Sequence, residues 1–122
     1  MTLFKNEPII SHAGLSLLFK IECDALTDED IETLASIISR AHKFKEVHGI
    51  PRGGIRLANA LQKYLSEEGK VLIVDDLFTT GKSMEGAKSK IGGDPLGVVI
   101  FARGACPQWI FPIFQLGQWA SL

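Results

Sequence analysis

The sequence predicts an α/β fold with a parallel sheet, and two observations support this prediction. Stretches with helical periodicity alternate with short apolar runs, in the order strand, helix, strand, helix, strand. Two of the runs, residues 71–74 and residues 96–101, are continuously apolar, as is typical of strands that helices cover on both faces. Right-handed crossovers between the strands are therefore expected. The length of 122 residues fits one domain, residues 1–122, with one modest core.

The first part of the chain predicts two short strands and a helix. Residues 9–10 and residues 17–23 are mostly apolar and suit strands. Thr27 precedes three acidic residues and is predicted to be a helix N-cap, because acids interact favourably with the positive end of a helix dipole. Apolar residues at helical spacing predict the buried face of this helix: Ile31, Leu34, Ala35, Ile38 and Ala41.

A second strand and helix are predicted before the first continuous apolar run. Residues 46–50 suit a strand, and a turn at residues 51–54 follows it. The next helix is expected to end at Gly69, since glycine often follows the last turn of a helix. Its helical period is carried by Ile55, Ala58, Leu61 and Leu65.

The last part of the chain predicts a loop, a short helix, a strand and an irregular tail. Residues 75–82 form the loop, and the helix after it faces inward through Met84, Ala87 and Ile91. Residues 96–101 are the strand. Beyond Gly104 the tail is predicted to be irregular and to form, with the N-terminal segment, a small hood over the core; it contains Pro107, Trp109, Pro112 and Trp119.

Composition excludes several classes of function. The formal net charge is −1, which provides no basic face for nucleic acid. No apolar run reaches the roughly 20 residues that span a bilayer, so no membrane partner is expected. Cys23 and Cys106 form no CxxC pair, which favours free thiols and a cytoplasmic location.

Residues 79–83 have the features of a phosphate-binding turn. In open parallel sheets, ligands bind beyond the carboxyl ends of the strands, where residues 51–54, 75–83 and 102–106 are expected to converge. Residues 79–83 read Thr-Thr-Gly-Lys-Ser and stand between a buried strand and a helix start, where free backbone N–H groups attract anions. The spacing differs from that of a Walker A loop.

Two adjacent carboxylates, Asp75 and Asp76, precede this turn. They do not suit phosphate alone, but they suit a ligand that also carries hydroxyls or a divalent cation. A ribose 5-phosphate has a phosphate and a cis-diol a few ångström apart. The acids and the turn together therefore predict a site for a phosphorylated ribose.

Residues 71–83 resemble the motif with which type I phosphoribosyltransferases bind 5-phosphoribosyl-1-pyrophosphate (PRPP). Four apolar residues, two acids, two variable residues and Thr-Thr-Gly-x-Ser are all present. The resemblance implies a Rossmann-like core in which Asp75 and Asp76 are catalytic, hold the ribose hydroxyls and lie near Mg²⁺. It also implies the set that binds the 5-phosphate: Thr79, Thr80, Gly81, Lys82 and Ser83.

The turn after the preceding strand is similar to the pyrophosphate loop of the same family. Two glycines let main-chain N–H groups reach an anion, and an arginine adds a guanidinium suited to phosphate. In that family the loop often holds a non-proline cis peptide bond, which here would join Pro51 to Arg52. The resemblance makes Arg52 catalytic and implies pyrophosphate binding by Pro51, Arg52, Gly53 and Gly54.

The nucleobase end is assigned by resemblance to orotate phosphoribosyltransferases. In those enzymes an arginine beyond the equivalent strand binds the orotate carboxylate, and Arg103 resembles it in position. Residues 11–16 are loosely similar to the element that opens these enzymes, with Lys20 as a base or pyrophosphate contact. Phe78 is expected to line the base pocket. Trp109 is interpreted as a packing residue, with stacking on the base as the alternative.

One departure from the family leaves the activity open. Residues 65–70 lead directly into the strand at residue 71, with no room for the long flexible loop that closes over the site in that family. The expected function is transfer of the 5-phosphoribosyl group to a nucleobase, with orotate favoured over a purine. Two alternatives are a PRPP- or nucleotide-binding regulator without transferase activity and a hydrolase of ribosyl phosphates. A homodimer is compatible with an apolar tail and no lid.

Overall fold

The N-terminal segment forms two small antiparallel sheets beside the core. The computed structural model describes residues 1–10 and 16–117, and of Ser16 and Leu17 the backbone only. Strand β1 (Phe4–Lys5) pairs with β4 (Lys20–Ile21), and β2 (Ile9–Ile10) pairs with β3 (Ser16–Leu17). The single strand predicted at residues 17–23 is wrong, because the chain bends between β3 and β4 and enters a 3₁₀ turn at Cys23–Ala25.

A four-stranded parallel sheet forms the centre of the protein. Its strands are β5 (Phe44–Gly49), β6 (Lys70–Phe78), β7 (Leu96–Ala102) and β8 (Ile110–Gln115), and they lie in that order. The helices are α1 (Asp28–Ala41), α2 (Ile55–Leu61) and α3 (Lys82–Ile91). The predicted α/β fold with a parallel sheet is therefore confirmed.

Helices cover both faces of the sheet, which explains why its central strands are continuously apolar. On one face, α1 and α2 pack against Leu72 and Val74 of β6 and against Val98 and Ile100 of β7. On the other face, Met84 of α3 packs with the intervening strand residues. Successive side chains of a strand point to opposite faces, so each apolar run contributes to both halves of the core.

The predicted start and inward face of α1 are confirmed except at its last turn. Thr27 Oγ1 accepts a hydrogen bond from Asp30 N at 3.0 Å, and Asp30 Oδ2 accepts one from Thr27 N at 2.9 Å. This reciprocal pair is a capping box. The inward residues of the helix are buried, but Ala41 is exposed, because the helix ends there and the chain turns into β5.

The structure corrects the predicted end of α2. The α-helix ends at Leu61 and continues as a 3₁₀ turn, Gln62–Tyr64, so Gly69 does not end it. Ile55 and Leu65 are exposed, whereas Ala58 and Leu61 are buried. Gly69 instead has a φ of +107° in the turn into β6. Residues 65–69 form the whole connection between the 3₁₀ turn and β6, so this region has no room for a long flexible loop, as predicted.

The structure also corrects the predicted loop at residues 75–82. Strand β6 continues through both acids to Phe78, because its neighbour β7 is long enough to pair with it as far as Ala102. The residues of the true turn, Thr79 to Gly81, connect β6 to α3. Asp75 and Asp76 are therefore strand residues held in register by the sheet.

The C-terminal tail is regular where it was predicted to be irregular. Residues of β8 pair with β7 in parallel, with Val99 opposite Pro112 and Phe101 opposite Phe114. Pro112 is tolerated because β8 lies at the edge of the sheet, where one side of the strand carries no ladder. The hood over the core is consequently formed by the N-terminal segment, and the tail up to Gln115 extends the sheet.

Within residues 1–10 and 16–117, no helix is long and apolar enough to cross a bilayer.

Candidate functional site

Two cavities open at the carboxyl ends of the central strands, one toward α3 and one toward α2. The first, of about 590 Å³, is lined by the turn from Thr79 to Ser83, by Asp75 and by Arg103. The second, of about 250 Å³, is lined by Arg52, Gly53 and Asp76. Ile21 and Leu77 line both cavities and separate them. All three predicted loops therefore contribute to this edge of the sheet.

The first cavity contains the N-terminus of α3. The first helical hydrogen bond of α3 runs from Glu85 N to Gly81 O, which leaves the preceding N–H groups to face the cavity region without a helical partner. Gly81 has a φ of +84°, and a Cβ there would lie 2.8 Å from the Phe78 ring. Glycine is therefore required at this turn, both for its backbone angle and for the contact with the aromatic ring.

The acid pair is divided between the two cavities. Asp75 lines the first cavity and Asp76 the second, because neighbouring residues of a strand point to opposite faces. The main-chain N–H of Asp76 donates to Asp75 Oδ1 at 2.8 Å, which fixes the inner carboxylate. Asp75 is 8% exposed. The two carboxyl groups still interact with each other, so a ligand that filled both cavities would pass the acid pair between the phosphate turn and the Arg52 loop.

Burial makes the charge on Asp75 unfavourable. Desolvation, reinforced by hydrogen bonding and repulsion from the Asp76 carboxyl group, raises the pKa of Asp75 to about 8. No cation among the described residues forms a salt bridge with it. An ionised carboxylate buried here lowers the stability of the ligand-free protein. Binding of a cation or of hydroxyl donors would stabilise the charge.

The second cavity is formed by the turn before α2 and by the 3₁₀ turn of the N-terminal segment. The Pro51–Arg52 peptide bond is cis, as the family resemblance predicts. A Cβ on Gly53 would lie 2.2 Å from Asp76 Oδ2, so only glycine lets the carboxylate lie against this turn. Arg52 and Gly53 line the cavity, whereas Pro51 and Gly54 do not. Gly54 is buried beneath the turn, and its N–H donates to Ile50 O at 2.8 Å.

Cys23 lies at the rim of the second cavity, together with Glu22 and Asp24. Burial, followed by the charge of Asp76, raises the pKa of the Cys23 thiol to about 12, so the thiol stays protonated near neutrality. Arg56 Nη2 donates to Leu26 O at 2.9 Å and so ties the start of α2 to this segment. The sequence alone did not indicate that Glu22, Cys23 and Asp24 line a cavity, since their position depends on how the N-terminal segment folds back.

Arg103 is a buried cation at the far end of the first cavity. It is 4% exposed, and its guanidinium lies 4.4 Å from the centroid of the Phe19 ring. Nη2 donates to Phe19 O, whereas the buried Nε has no partner among the described residues. Burial lowers the pKa of Arg103 from its ordinary value, but arginine keeps its charge in proteins. Arg103 also lines the first cavity, so its positive charge is available there to an anionic ligand.

The remaining predicted base residues lie in the same cavity as Arg103. Phe78 and Lys20 line it, and Lys20 Nζ also forms a salt bridge with Glu22 at 3.2 Å. Apolar residues of the hood and of α3 complete the wall; these are Ile9, Ile10, Ile21 and Met84. The sequence did not indicate their role, because short apolar segments look alike whether they face a core or a ligand.

Trp109 does not line either of these cavities. Trp109 packs against α3, where its Nε1 donates to Glu85 Oε1 at 3.1 Å and Lys88 Nζ lies 4.9 Å from the ring centroid. Trp109 therefore has the packing role that was expected of it, and it lines neither cavity. Residues 11–15 lie outside the described residues, as does Trp119.

The acid pair suits a divalent cation only together with oxygen atoms from a ligand. Within the described part of the chain, no group of three or more His, Cys, Asp or Glu residues could hold a metal ion. Mg²⁺ is usually bound by one or two carboxylates plus water and phosphate oxygens. Asp75 and Asp76 provide two hard oxygen donors at the boundary of the cavities, so they fit a cation that arrives with a phosphorylated ligand.

Structural comparison shows that the chain has the type I phosphoribosyltransferase fold. Orotate phosphoribosyltransferase from Aeropyrum pernix matches with a TM-score of 0.65 at 18% identity, covering 84% of this chain and 76% of that one. The Mycobacterium tuberculosis H37Rv enzyme in complex with inorganic phosphate matches with a TM-score of 0.63 at 17% identity, covering 91% and 87%.

A longer protein shares the fold. Leishmania donovani UMP synthase matches with a TM-score of 0.72 at 17% identity, covering 95% of this chain but 34% of its own length. No protein-family model and no curated protein sequence matches the chain. The TM-scores establish the fold, and at 17–18% identity these matches show the fold alone.

The buried Asp75 predicts an unusual pH dependence of stability. Its pKa in the folded protein is raised above the ordinary value of 3.8, so the folded state binds more protons than the unfolded state between about pH 4 and pH 8. The free energy of unfolding therefore falls as the pH rises through this window. We expect Asp75→Asn to stabilise the protein by at least about 1 kcal/mol at pH 9 and to have little effect at pH 4.

Urea denaturation of both proteins across this pH range measures the difference. Asp24→Asn is the matched control, since Asp24 is an exposed acid at the rim of the second cavity, and we expect a small change at every pH. A loss of stability in Asp75→Asn at pH 9 would show that the carboxylate is compensated in the folded protein.

Proposed function

We propose that this protein is a phosphoribosyltransferase that transfers the 5-phosphoribosyl group of PRPP to a nucleobase, with orotate as the base. The division of the acid pair between the two cavities is the observation that carries the proposal. A phosphate-binding turn lies on one side of the acids and an arginine loop on the other. PRPP has the matching order of groups, a 5-phosphate, a ribose diol and a pyrophosphate.

The turn before α3 would bind the 5-phosphate. Thr79, Thr80, Gly81, Lys82 and Ser83 all line the first cavity. Hydroxyl and main-chain N–H donors suit the phosphate oxygens, and the helix dipole adds a favourable potential. Asp75 and Asp76 would accept hydrogen bonds from the ribose hydroxyls and, with ligand oxygens, hold Mg²⁺. The gain from pairing the buried Asp75 with a cation supports this assignment.

The second cavity would hold the pyrophosphate, which is the leaving group. During transfer the bond from ribose C1 to the pyrophosphate oxygen breaks, and a bond from C1 to a ring nitrogen of the base forms. Arg52 would neutralise the charge that develops on the leaving oxygens. The main-chain N–H of Gly53 would add a donor, whereas the buried Gly54 would act by supporting the turn. Pro51 is assigned to the loop itself, since it lines neither cavity.

Arg103 would determine the choice of base. Its guanidinium is suited to a carboxylate, which orotate carries and purine bases lack. Arg103 is a buried cation that lines the first cavity and forms no salt bridge with any described residue, which supports an anionic ligand at this position. Phe78 and Lys20 would contact the base from the same cavity.

One observation favours a second function, that of a PRPP- or nucleotide-binding regulator without transferase activity. Residues 65–69 connect the 3₁₀ turn after α2 directly to β6, so no long loop of this region can exclude water from the site. Binding of PRPP does not require such a loop, whereas protection of an oxocarbenium-like ribose does.

A turnover assay distinguishes the two functions. With PRPP, Mg²⁺ and a panel of bases, a transferase releases pyrophosphate and forms one nucleotide per PRPP consumed. We expect turnover with orotate and little with adenine. Binding of PRPP without turnover of any base would favour the regulator, and phosphate release without a base would identify a hydrolase.

Removing both charges of the acid pair should abolish PRPP binding. We expect the double variant Asp75→Asn, Asp76→Asn to weaken PRPP at least about 100-fold in calorimetric titration with Mg²⁺, since each lost charge-assisted contact costs about 1.5–3 kcal/mol. The thermal unfolding transition should be retained. Glu29→Gln with Glu67→Gln provides the control for net charge, since both are exposed acids that line neither cavity. An unchanged PRPP affinity in the double variant would eliminate the ribose assignment.

Truncation of Arg103 should affect the carboxylate base selectively. We expect Arg103→Ala to reduce kcat/KM for orotate at least about 100-fold, because the orotate carboxylate would lose the charged, buried guanidinium as its donor. Any residual turnover of adenine should change much less. Equal losses for the two bases would contradict a carboxylate contact and point to a general packing role.

A further inference from the structure

We propose that Phe19 is a positioning residue that holds the Arg103 guanidinium toward the first cavity. The role in base selection rests on the proposed function, whereas the positioning itself does not. Phe19 does not line the cavity, so its action on a ligand would pass through Arg103. The sequence placed the two residues 84 positions apart and gave no sign that they interact.

Phe19 holds Arg103 in two ways. Its carbonyl oxygen accepts a hydrogen bond from Arg103 Nη2. Its ring lies against the guanidinium, 4.4 Å from ring centroid to Cζ, which is within the range of a cation–π interaction. The backbone of Arg103 is fixed separately, since its N–H donates to Phe78 O at 2.8 Å beyond the end of β7. The Phe19 contacts therefore act on the side chain.

The Phe19 ring is in turn supported by a series of aromatic residues, of which Phe101 is buried and Phe4 and Phe114 are partly exposed. Phe4 packs edge-on against Phe19 at 6.1 Å between centroids and against Phe101 of β7 at 5.8 Å. Phe101 stacks on Phe114 of the edge strand at 5.4 Å. A continuous series of rings therefore links the sheet to the guanidinium. The support comes from packing, which restricts the Phe19 ring to one orientation.

A guanidinium that is ordered before the ligand binds suits a site that selects an anion. An arginine side chain has many rotamers, and a ligand that must order them binds more weakly. Stacking on Phe19 orders the side chain in advance and uses a face of the guanidinium that needs no hydrogen bond. Nη2 keeps its backbone partner, and Nε is left without one among the described residues. The part of the guanidinium that lines the first cavity can then pair with a carboxylate.

Three variants isolate the ring of Phe19. Phe19→Leu removes the aromatic face but keeps apolar bulk and the main-chain carbonyl. Phe19→Tyr keeps the aromatic face and should therefore retain the contact with the Arg103 guanidinium. Phe111→Leu is the matched control, because Phe111 is a phenylalanine of the edge strand that packs on His42 and lies outside this aromatic series.

The first measurement needs no ligand. In the NMR spectrum of the wild-type chain, the ring current of Phe19 should shift the Arg103 Nε–H resonance away from its ordinary position. We expect Phe19→Leu to remove this shift and Phe19→Tyr and Phe111→Leu to retain it. An unchanged resonance in Phe19→Leu would overturn the proposal, whatever the protein binds.

The second measurement tests the consequence for binding. We expect Phe19→Leu to weaken orotate about tenfold and Phe19→Tyr less than about threefold. Affinity for ribose 5-phosphate should stay within about twofold in both, since that ligand is assigned to the other end of the cavity. Equal losses of orotate and ribose 5-phosphate would overturn a positioning role in favour of a structural one. If the wild-type chain binds ribose 5-phosphate but not orotate, the base assignment fails, and the resonance still decides whether Phe19 holds Arg103.

Discussion

The alternation of side chains along β6 is the constraint on which the rest of the site depends. Because β6 continues through Asp75 and Asp76, the sheet sends one carboxylate toward α3 and the next toward α2. If the strand ended at Val74, as the sequence alone suggested, the two acids would be free to turn the same way. Pairing with β7 as far as Ala102 prevents this. The proposed order of phosphate, ribose and pyrophosphate follows from that pairing.

The site is arranged at a cost to stability, as is common for functional groups. Asp75 is buried without a cationic partner among the described residues, and Arg103 has a buried Nε without an acceptor there. Glycine is required at Gly81 and Gly53, where any side chain would collide with Phe78 or with Asp76. None of these features improves the core. Under the proposed function, the burial of Asp75 and of Arg103 becomes favourable when a ligand supplies a cation or a carboxylate.

Much of the fold and of the site could be predicted from the sequence, and what was missed has a common cause. The apolar run at residues 71–74 and the capping residue Thr27 report local preferences, which a sequence contains. The extension of β6 and the strand β8 depend on pairing with β7, and β8 contains a proline that local rules disfavour in strands. Cys23 and Phe19 reach the site because the N-terminal segment folds back over the core. Such contacts join residues far apart in sequence, and single-sequence patterns do not report them.

The most direct test of the central claim follows backbone amide resonances while fragments of PRPP are added. Ribose 5-phosphate should shift the amides from Thr80 to Ser83, and pyrophosphate with Mg²⁺ should shift those of Arg52 and Gly53. Intact PRPP should shift both sets together, with one dissociation constant and one molecule bound per chain. If PRPP shifts one set alone, or shifts the two sets with different dissociation constants, a single ligand does not span the acid pair and the proposed arrangement is wrong.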